Sequence, residues 1–277
     1  RSDAIVTSAG SLGGILPRRK FSAYKNQFGR VGIVAGSRGL TGAAVLCASG
    51  ALRGGAGLVN LFVTQDVYPI IASIAPPEAM VRGIASYADL NDQPVNVWAI
   101  GPGLGKEHAG EIRDVIRGLE QPVVVDADGL NAVADDPQTL LHARGPRLLT
   151  PHPGEMKRLW PSAPEDRASL ARTFTGKMTV TLLLKGSRTI VAKHSRPLSY
   201  NTAGTPAMAT GGMGDVLTGV CAALIAQHLS LYDAARLGAW ACARAAEIAI
   251  ARGTASEESL IASDVIHNLG RAFNELR

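Results

Sequence analysis

Short apolar runs, each ending in a glycine-rich or polar loop that leads into a helix, recur along most of this chain. The runs fall at 30–35, 58–63, 96–100, 122–128, 147–150, 179–186, 188–192 and 198–200. Helices are expected at 43–53, 67–75, 107–119, 129–134, 155–160, 212–228, 231–252 and 263–276. Strands covered on both faces read as continuous rather than alternating apolar runs. Their alternation with helices predicts an α/β fold with a mainly parallel central sheet and helices on both faces. No linker, repeat or low-complexity tract interrupts the chain after residue 30, so one domain over 1–277 is expected. Residues 1–29, without periodicity before 21–28, read as an N-terminal extension.

In such sheets ligands bind outside the carboxyl ends of the strands. Six distinctive loops follow strands, at 36–42, 101–105, 126–131, 150–155, 185–188 and 201–215. Their convergence at one edge predicts a single site. The last loop, from Asn201 to Asp215, runs into the apolar stretch that starts at Val216, so it should open a buried helix. Glycine lets backbone approach a ligand closely. The first N–H groups of a helix lack internal partners and lie at its positive end. Gly211, Gly212 and Gly214 should therefore offer donors to an anion, most naturally a phosphate. The loop is neither a Walker A sequence nor G-x-G-x-x-G after a strand. Asp215 has two readings: a carboxylate that caps the helix, or a base that takes a proton from a hydroxyl attacking the phosphate.

Other candidates sit on the neighbouring loops. His152, held between two prolines, is expected to touch ligand. Glu155 reads either as a helix N-terminal acid or as a residue that orders metal-bound water. Asp126 and Asp128 could ligate a metal, although Asp128 as an N-cap is simpler. Lys185 ends an apolar strand, where a buried ammonium needs a partner that an anionic ligand would supply. Arg236, Arg244 and Arg252, spaced by eight, should mark a solvated helical face.

Composition narrows the function classes. A net charge of +5 is mild and spread out, and aromatics are 5% of residues, so a nucleic-acid stripe is not expected. Anionic small ligands fit better. Cys47, Cys221 and Cys242 lie in apolar helical contexts without metal spacing and read as reduced core thiols of a cytoplasmic protein. No apolar run reaches the roughly 18 residues of a membrane span. The chain begins at Arg1, so an upstream segment is expected to have been trimmed or to belong to a longer protein.

Five segments taken together carry a family resemblance. They are Pro102-Gly-Leu-Gly105, Asp126-Ala-Asp-Gly-Leu-Asn131, Thr150-Pro-His-Pro-Gly-Glu155, Leu184-Lys-Gly186 and Met208-Ala-Thr-Gly-Gly-Met-Gly-Asp-Val-Leu-Thr-Gly219. In this order they resemble the ADP/ATP-dependent NAD(P)H-hydrate dehydratases of the ribokinase-like superfamily, from about Phe28 to the C-terminus. The resemblance implies that NADH or NADPH hydrated at C6 is phosphorylated on the new hydroxyl by ADP or ATP, with magnesium. Phosphate then leaves and the dihydronicotinamide is restored.

By the same resemblance Asp215 is the base, and the amides of Gly211, Gly212, Met213 and Gly214 hold the transferred phosphoryl group. Lys185, Gly186, Ser187, Arg188 and Thr189 look like the adenine-nucleotide segment, joined by Gly214. Ala43, Gly105, His152 and Asp215 look like contacts to the hydrated dinucleotide. Glu155 matches the spacing of a motif that orders magnesium in related kinases, through water. The loop from Asn201 to Met208 departs from the family pattern, and Met213 stands where Ser or Thr is common. Relatives form homotetramers or larger, and many carry an N-terminal epimerase domain. Nothing here corresponds to that domain, so the dehydratase unit alone is expected, with an epimerase as a separate or upstream partner. The nearest alternative is a ribokinase-like kinase of a vitamin precursor such as hydroxymethylpyrimidine or hydroxyethylthiazole. A silent nucleotide sensor is a different class.

Overall fold

A computed structural model describes residues 3–277. Its ten strands are β1 (Ala4–Thr7), β2 (Arg30–Val34), β3 (Leu58–Thr64), β4 (Ala79–Ile84), β5 (Val97–Ile100), β6 (Val123–Val125), β7 (Arg147–Leu149), β8 (Thr181–Leu184), β9 (Ile190–Lys193) and β10 (Leu198–Asn201). The helices are α1 (Ala9–Leu12), α2 (Thr41–Arg53), α3 (Tyr68–Ile74), α4 (Ala109–Gly118), α5 (Ala127–Ala134), α6 (Gln138–Leu141), α7 (Pro153–Leu159), α8 (Arg167–Lys177), α9 (Met213–Ala226), α10 (Leu231–Ala251) and α11 (Ala262–Asn274).

All ten strands form one sheet in the order β1-β10-β9-β8-β7-β6-β5-β2-β3-β4. Every neighbouring pair is parallel except those of β9, which runs against both β8 and β10. β8 and β9 therefore form the hairpin expected around the Lys-Gly-Ser turn. Successive side chains leave the sheet on opposite faces. Val31, Ile33, Val97, Ala99 and Val124 join the core beneath α2, α9, α10 and α11. Val34, Trp98, Ile100, Val123 and Val125 join the core on the other face. The sheet is thus covered on both sides, in the ribokinase-like architecture that the sequence predicts.

One helix contact fixes the site. A Cβ on Gly219 of α9 would lie 2.0 Å from the Cys47 carbonyl, and one on Gly50 of α2 would lie 2.4 Å from the Val216 carbonyl. Two glycines facing each other's helices let the backbones touch, and this seats the start of α9 against the middle of α2.

The sequence expectation fails at the sheet edges. Residues 1–29 are more than an extension, because Ala4–Thr7 pairs in parallel with β10. The edge strand β4 also went unpredicted. Met80 and Arg82 face outward from it, so it lacks the continuous apolar run of a central strand. α8 was missed because its buried stripe is only Leu170, Ala171, Phe174 and Thr175 within a polar sequence. Among the described residues no helix is long and apolar enough to cross a membrane.

Candidate active site

The six loops converge as predicted. The Gly36 N–H donates to the Pro102 carbonyl at 2.9 Å, and the Lys185 N–H donates to the Pro151 carbonyl at 2.9 Å. A Cβ on Gly103 would sit 2.8 Å from that of Ala43, so the 101–105 loop rests on the first turn of α2. Gly105, at φ +70°, donates its N–H to Asp128 Oδ2 at 2.8 Å. This bond and one from Asn131 to Oδ1 at 3.1 Å place Asp128 inside the first turn of α5. Asp128 is therefore not the N-cap. That position belongs to Asp126, whose carboxylate makes no capping hydrogen bond to its own helix.

Gly212 caps α9 in the left-handed conformation, at φ +85°. A side chain there is doubly excluded, since its Cβ would lie 2.5 Å from Leu46. Among the described residues, the N–H groups of Gly211, Gly212, Met213, Gly214 and Asp215 donate to no acceptor. They form the open positive end of a 14-residue helix. Asp215, in the first turn, neither caps a helix nor has a hydrogen-bond or ion-pair partner among the described residues. Burial, and then the nearby charge of Asp126, push its carboxyl up to about 7, against the pull of Lys185. A half-buried, unpartnered carboxylate that titrates near neutrality, beside unoccupied N–H donors, has the properties of a general base.

Beneath this loop lies a buried ion pair. Lys185 Nζ donates to Asp126 Oδ1 at 2.7 Å, and Thr218 Oγ1 donates to Asp126 Oδ2 at 2.8 Å. Glu155 Oε2 is 3.7 Å from the same ammonium. The ammonium thus finds its partner within the chain, which corrects the expectation that an anionic ligand would supply it. Burial works against the Lys185 charge, but Asp126 and Glu155 outweigh it and hold its pKa above the ordinary lysine value. Burial likewise opposes the Asp126 charge, and the Lys185 ammonium keeps that carboxyl below its usual range. A Cβ on Gly214 would be 3.3 Å from both Asp126 Oδ2 and Lys185 Nζ, so the anion loop passes directly over the pair. Ala127 follows Asp126 at φ +47°, a conformation that costs a non-glycine residue energy. Thr218 was missed by sequence, although its place three residues after Asp215 puts it on the same helical face.

His152 and Glu155 form a reciprocal cap on α7. His152 Nδ1 accepts the N–H groups of Gly154 and Glu155 at 3.0 and 3.3 Å, and Glu155 Oε2 accepts the His152 N–H at 2.8 Å. The imidazole is half-exposed on the ligand-facing loop, with its Nε2 3.5 Å from Glu155 Oε1. In the 185–189 segment, Ser187 and Arg188 are exposed and Thr189 Oγ1 donates to the Gly186 carbonyl at 3.4 Å. Arg167 braces this turn from α8, donating to the Leu184 and Lys185 carbonyls at 3.2 Å each. No sequence signal marked it.

Two other expectations change. Arg236 is not solvated: it is 6% exposed and donates to Ser199 and Asp233. Arg244 is held by Glu247 and Glu275. Among the described residues no group of three or more His, Cys, Asp or Glu side chains is placed to hold a metal ion.

A family model described as NAD(P)H-hydrate dehydratase matches residues 31–268. The chain belongs to the NAD(P)H-hydrate dehydratase family. It is 40% identical to the bifunctional NAD(P)H-hydrate repair enzyme Nnr of Moorella thermoacetica, over 94% of this chain and 52% of that one. It thus spans about half the length of such curated relatives. It is 35% identical to the ADP-dependent (S)-NAD(P)H-hydrate dehydratase of Neisseria meningitidis serogroup B, over 84% of this chain and 81% of that one. The ADP/ATP-dependent NAD(P)H-hydrate dehydratase of Bacillus subtilis, co-crystallized with ATP/Mg2+, superposes with a TM-score of 0.86. That alignment has 28% identity and covers 98% of each chain. A hydroxyethylthiazole kinase from Pyrococcus horikoshii, at 13% identity and TM-score 0.64, is alike in fold alone.

Proposed function

We propose that this chain dehydrates (S)-NAD(P)H-hydrate to NAD(P)H at the expense of ADP or ATP. The observation that carries the proposal is Asp215, an unpartnered carboxylate titrating near 7 beside the open N–H groups at the start of α9. Family membership supplies the substrate.

Hydroxide is a poor leaving group, and phosphorylation makes it a good one. The Asp215 carboxylate takes the proton of the C6 hydroxyl, and that oxygen attacks the terminal phosphorus of the donor. A new O–P bond forms as the donor's terminal P–O bond breaks, releasing AMP from ADP or ADP from ATP. The amides of Gly211 to Gly214 are placed to hold the equatorial oxygens, where preorganised donors stabilise developing charge. The ring nitrogen lone pair then expels phosphate from C6, and loss of a C5 proton restores the dihydronicotinamide. Lys185 to Thr189, with Gly214, would hold the nucleotide, and Ala43, Gly105 and His152 the hydrated dinucleotide.

Magnesium would be held through water by Glu155, and when bound it neutralises phosphate charge. Asp126 is a poorer direct ligand, because the Lys185 ammonium is already its counterion at 2.7 Å. We place the unit, as one domain over 1–277, in the cytoplasm as a homotetramer, working with a separate or upstream epimerase. A vitamin-precursor kinase would share the anion loop but release a stable phosphate ester, and only its fold is matched here.

The pH dependence of kcat/KM tests the base. Asp215 acts when deprotonated, so kcat/KM should fall about tenfold per unit as pH drops below about 7. A profile flat down to pH 5 would remove Asp215 from the proton transfer.

A further inference from the structure

A groove of about 710 Å3 opens beside Gly105, between α5 and α7. Lys106, Lys157 and Arg158 line it. Some arginines elsewhere pair with carboxylates, as in Arg38–Asp66, Arg117–Asp114, Arg236–Asp233 and Arg244–Glu275. Among the described residues, none of these three cations has a carboxylate partner. Of the two carboxylates on the groove, Asp128 already accepts from Gly105 and Asn131. Asp135 is the other, so three cations against two carboxylates leave a surplus of one positive charge.

Arg158 is also oriented. Its Nε donates to Asn131 Oδ1 at 3.0 Å, Asn131 Nδ2 donates to Asp128 Oδ1 at 3.1 Å, and Asp128 Oδ2 accepts the Gly105 N–H at 2.8 Å. This relay ties the guanidinium to the loop at the substrate position. Its Nη1 and Nη2 keep no partner among the described residues, leaving donors for a phosphate. Arg158 lies six residues beyond His152, about 9 Å along α7 at 1.5 Å per residue.

We propose that this groove takes the ribose 2′-phosphate of the hydrated dinucleotide on Arg158, Lys106 and Lys157, and thereby favours NADPH-hydrate over NADH-hydrate. The proposal rests on the dehydratase reading for its substrate. A monoester phosphate carries roughly −1.5 to −2 at neutral pH, opposite in sign to the groove's surplus. An arginine serves the same phosphate in other dinucleotide sites.

The test uses the full chain and Arg158→Ala, with Arg158→Lys as the conservative control. Steady-state kcat/KM is measured for both hydrates. Calorimetry compares adenosine 2′,5′-bisphosphate with adenosine 5′-monophosphate, with saturating ADP filling the donor site. Loss of a charge-assisted contact should lower the NADPH-hydrate to NADH-hydrate ratio of kcat/KM about 10- to 100-fold, mainly through KM. Arg158→Ala should also abolish the preference for the bisphosphate, and Arg158→Lys should retain part of it. An unchanged ratio, or no bisphosphate preference in the unaltered chain, overturns the proposal. If the unaltered chain restores neither hydrate, the dehydratase reading falls. The calorimetry then decides the groove by itself: a preference removed by Arg158→Ala keeps the phosphate site, and its absence eliminates it.

Discussion

Asp215→Asn is expected to lower turnover about 10²–10⁴-fold, the usual range for a general base, with the Kd for ADP or ATP within about twofold. The substitution removes the proton acceptor but leaves the Gly211–Gly214 amides where they are, so binding and chemistry separate. The same variant should be more stable than the parent at neutral and higher pH. The folded-state pKa of Asp215 is raised from 3.8 to about 7. The folded protein therefore holds a proton that the unfolded chain releases between those values, and stability falls as pH rises through that window. Asparagine carries no such charge. Its advantage in melting temperature should be greatest above pH 7 and fade toward pH 4. An active, unstabilised Asp215→Asn would mean that the carboxylate is neither base nor strained charge.

Lys185→Met is expected to cost about 3–5 kcal/mol of stability and to abolish measurable activity, because it strands a buried carboxylate without its counterion. Asp126 is 1% exposed, and its carboxylate accepts from Lys185 and Thr218. Removing the charge as well, in Asp126→Leu/Lys185→Met, should recover much of the loss, since a well-packed apolar replacement of a buried pair is often neutral. Chemical denaturation of the two single variants and the double variant gives the coupling directly. A single Lys185→Met as stable as the parent would mean that Asp126 is protonated and the pair is not ionic.

The central architecture was legible because it is repetitive. Each inner parallel strand is an apolar run that stops at a loop, and the chemistry sits where the runs stop. The edge strands β1 and β4 were lost because one exposed side breaks the run that identifies their neighbours. Within the site, residue types at strand ends located the cluster, but pairings across it were out of reach. Asp126 and Lys185 are 59 positions apart, and only the sheet order β8-β7-β6 brings them together. The fate of Asp126 and Asp128 turned on a two-residue shift in where α5 begins. Arg236 looked solvated because helical spacing cannot show that β10 offers Ser199 to its guanidinium.

The most direct measurement is recovery of dihydronicotinamide absorbance from chemically prepared NADPH-hydrate, with the protein, magnesium and either ADP or ATP. The account predicts full recovery with at least one donor, one equivalent of inorganic phosphate released per NADPH formed, and none in the absence of nucleotide. The faster donor names the physiological phosphoryl source. No recovery with either nucleotide, or accumulation of a stable phosphate ester in place of NADPH, would contradict it.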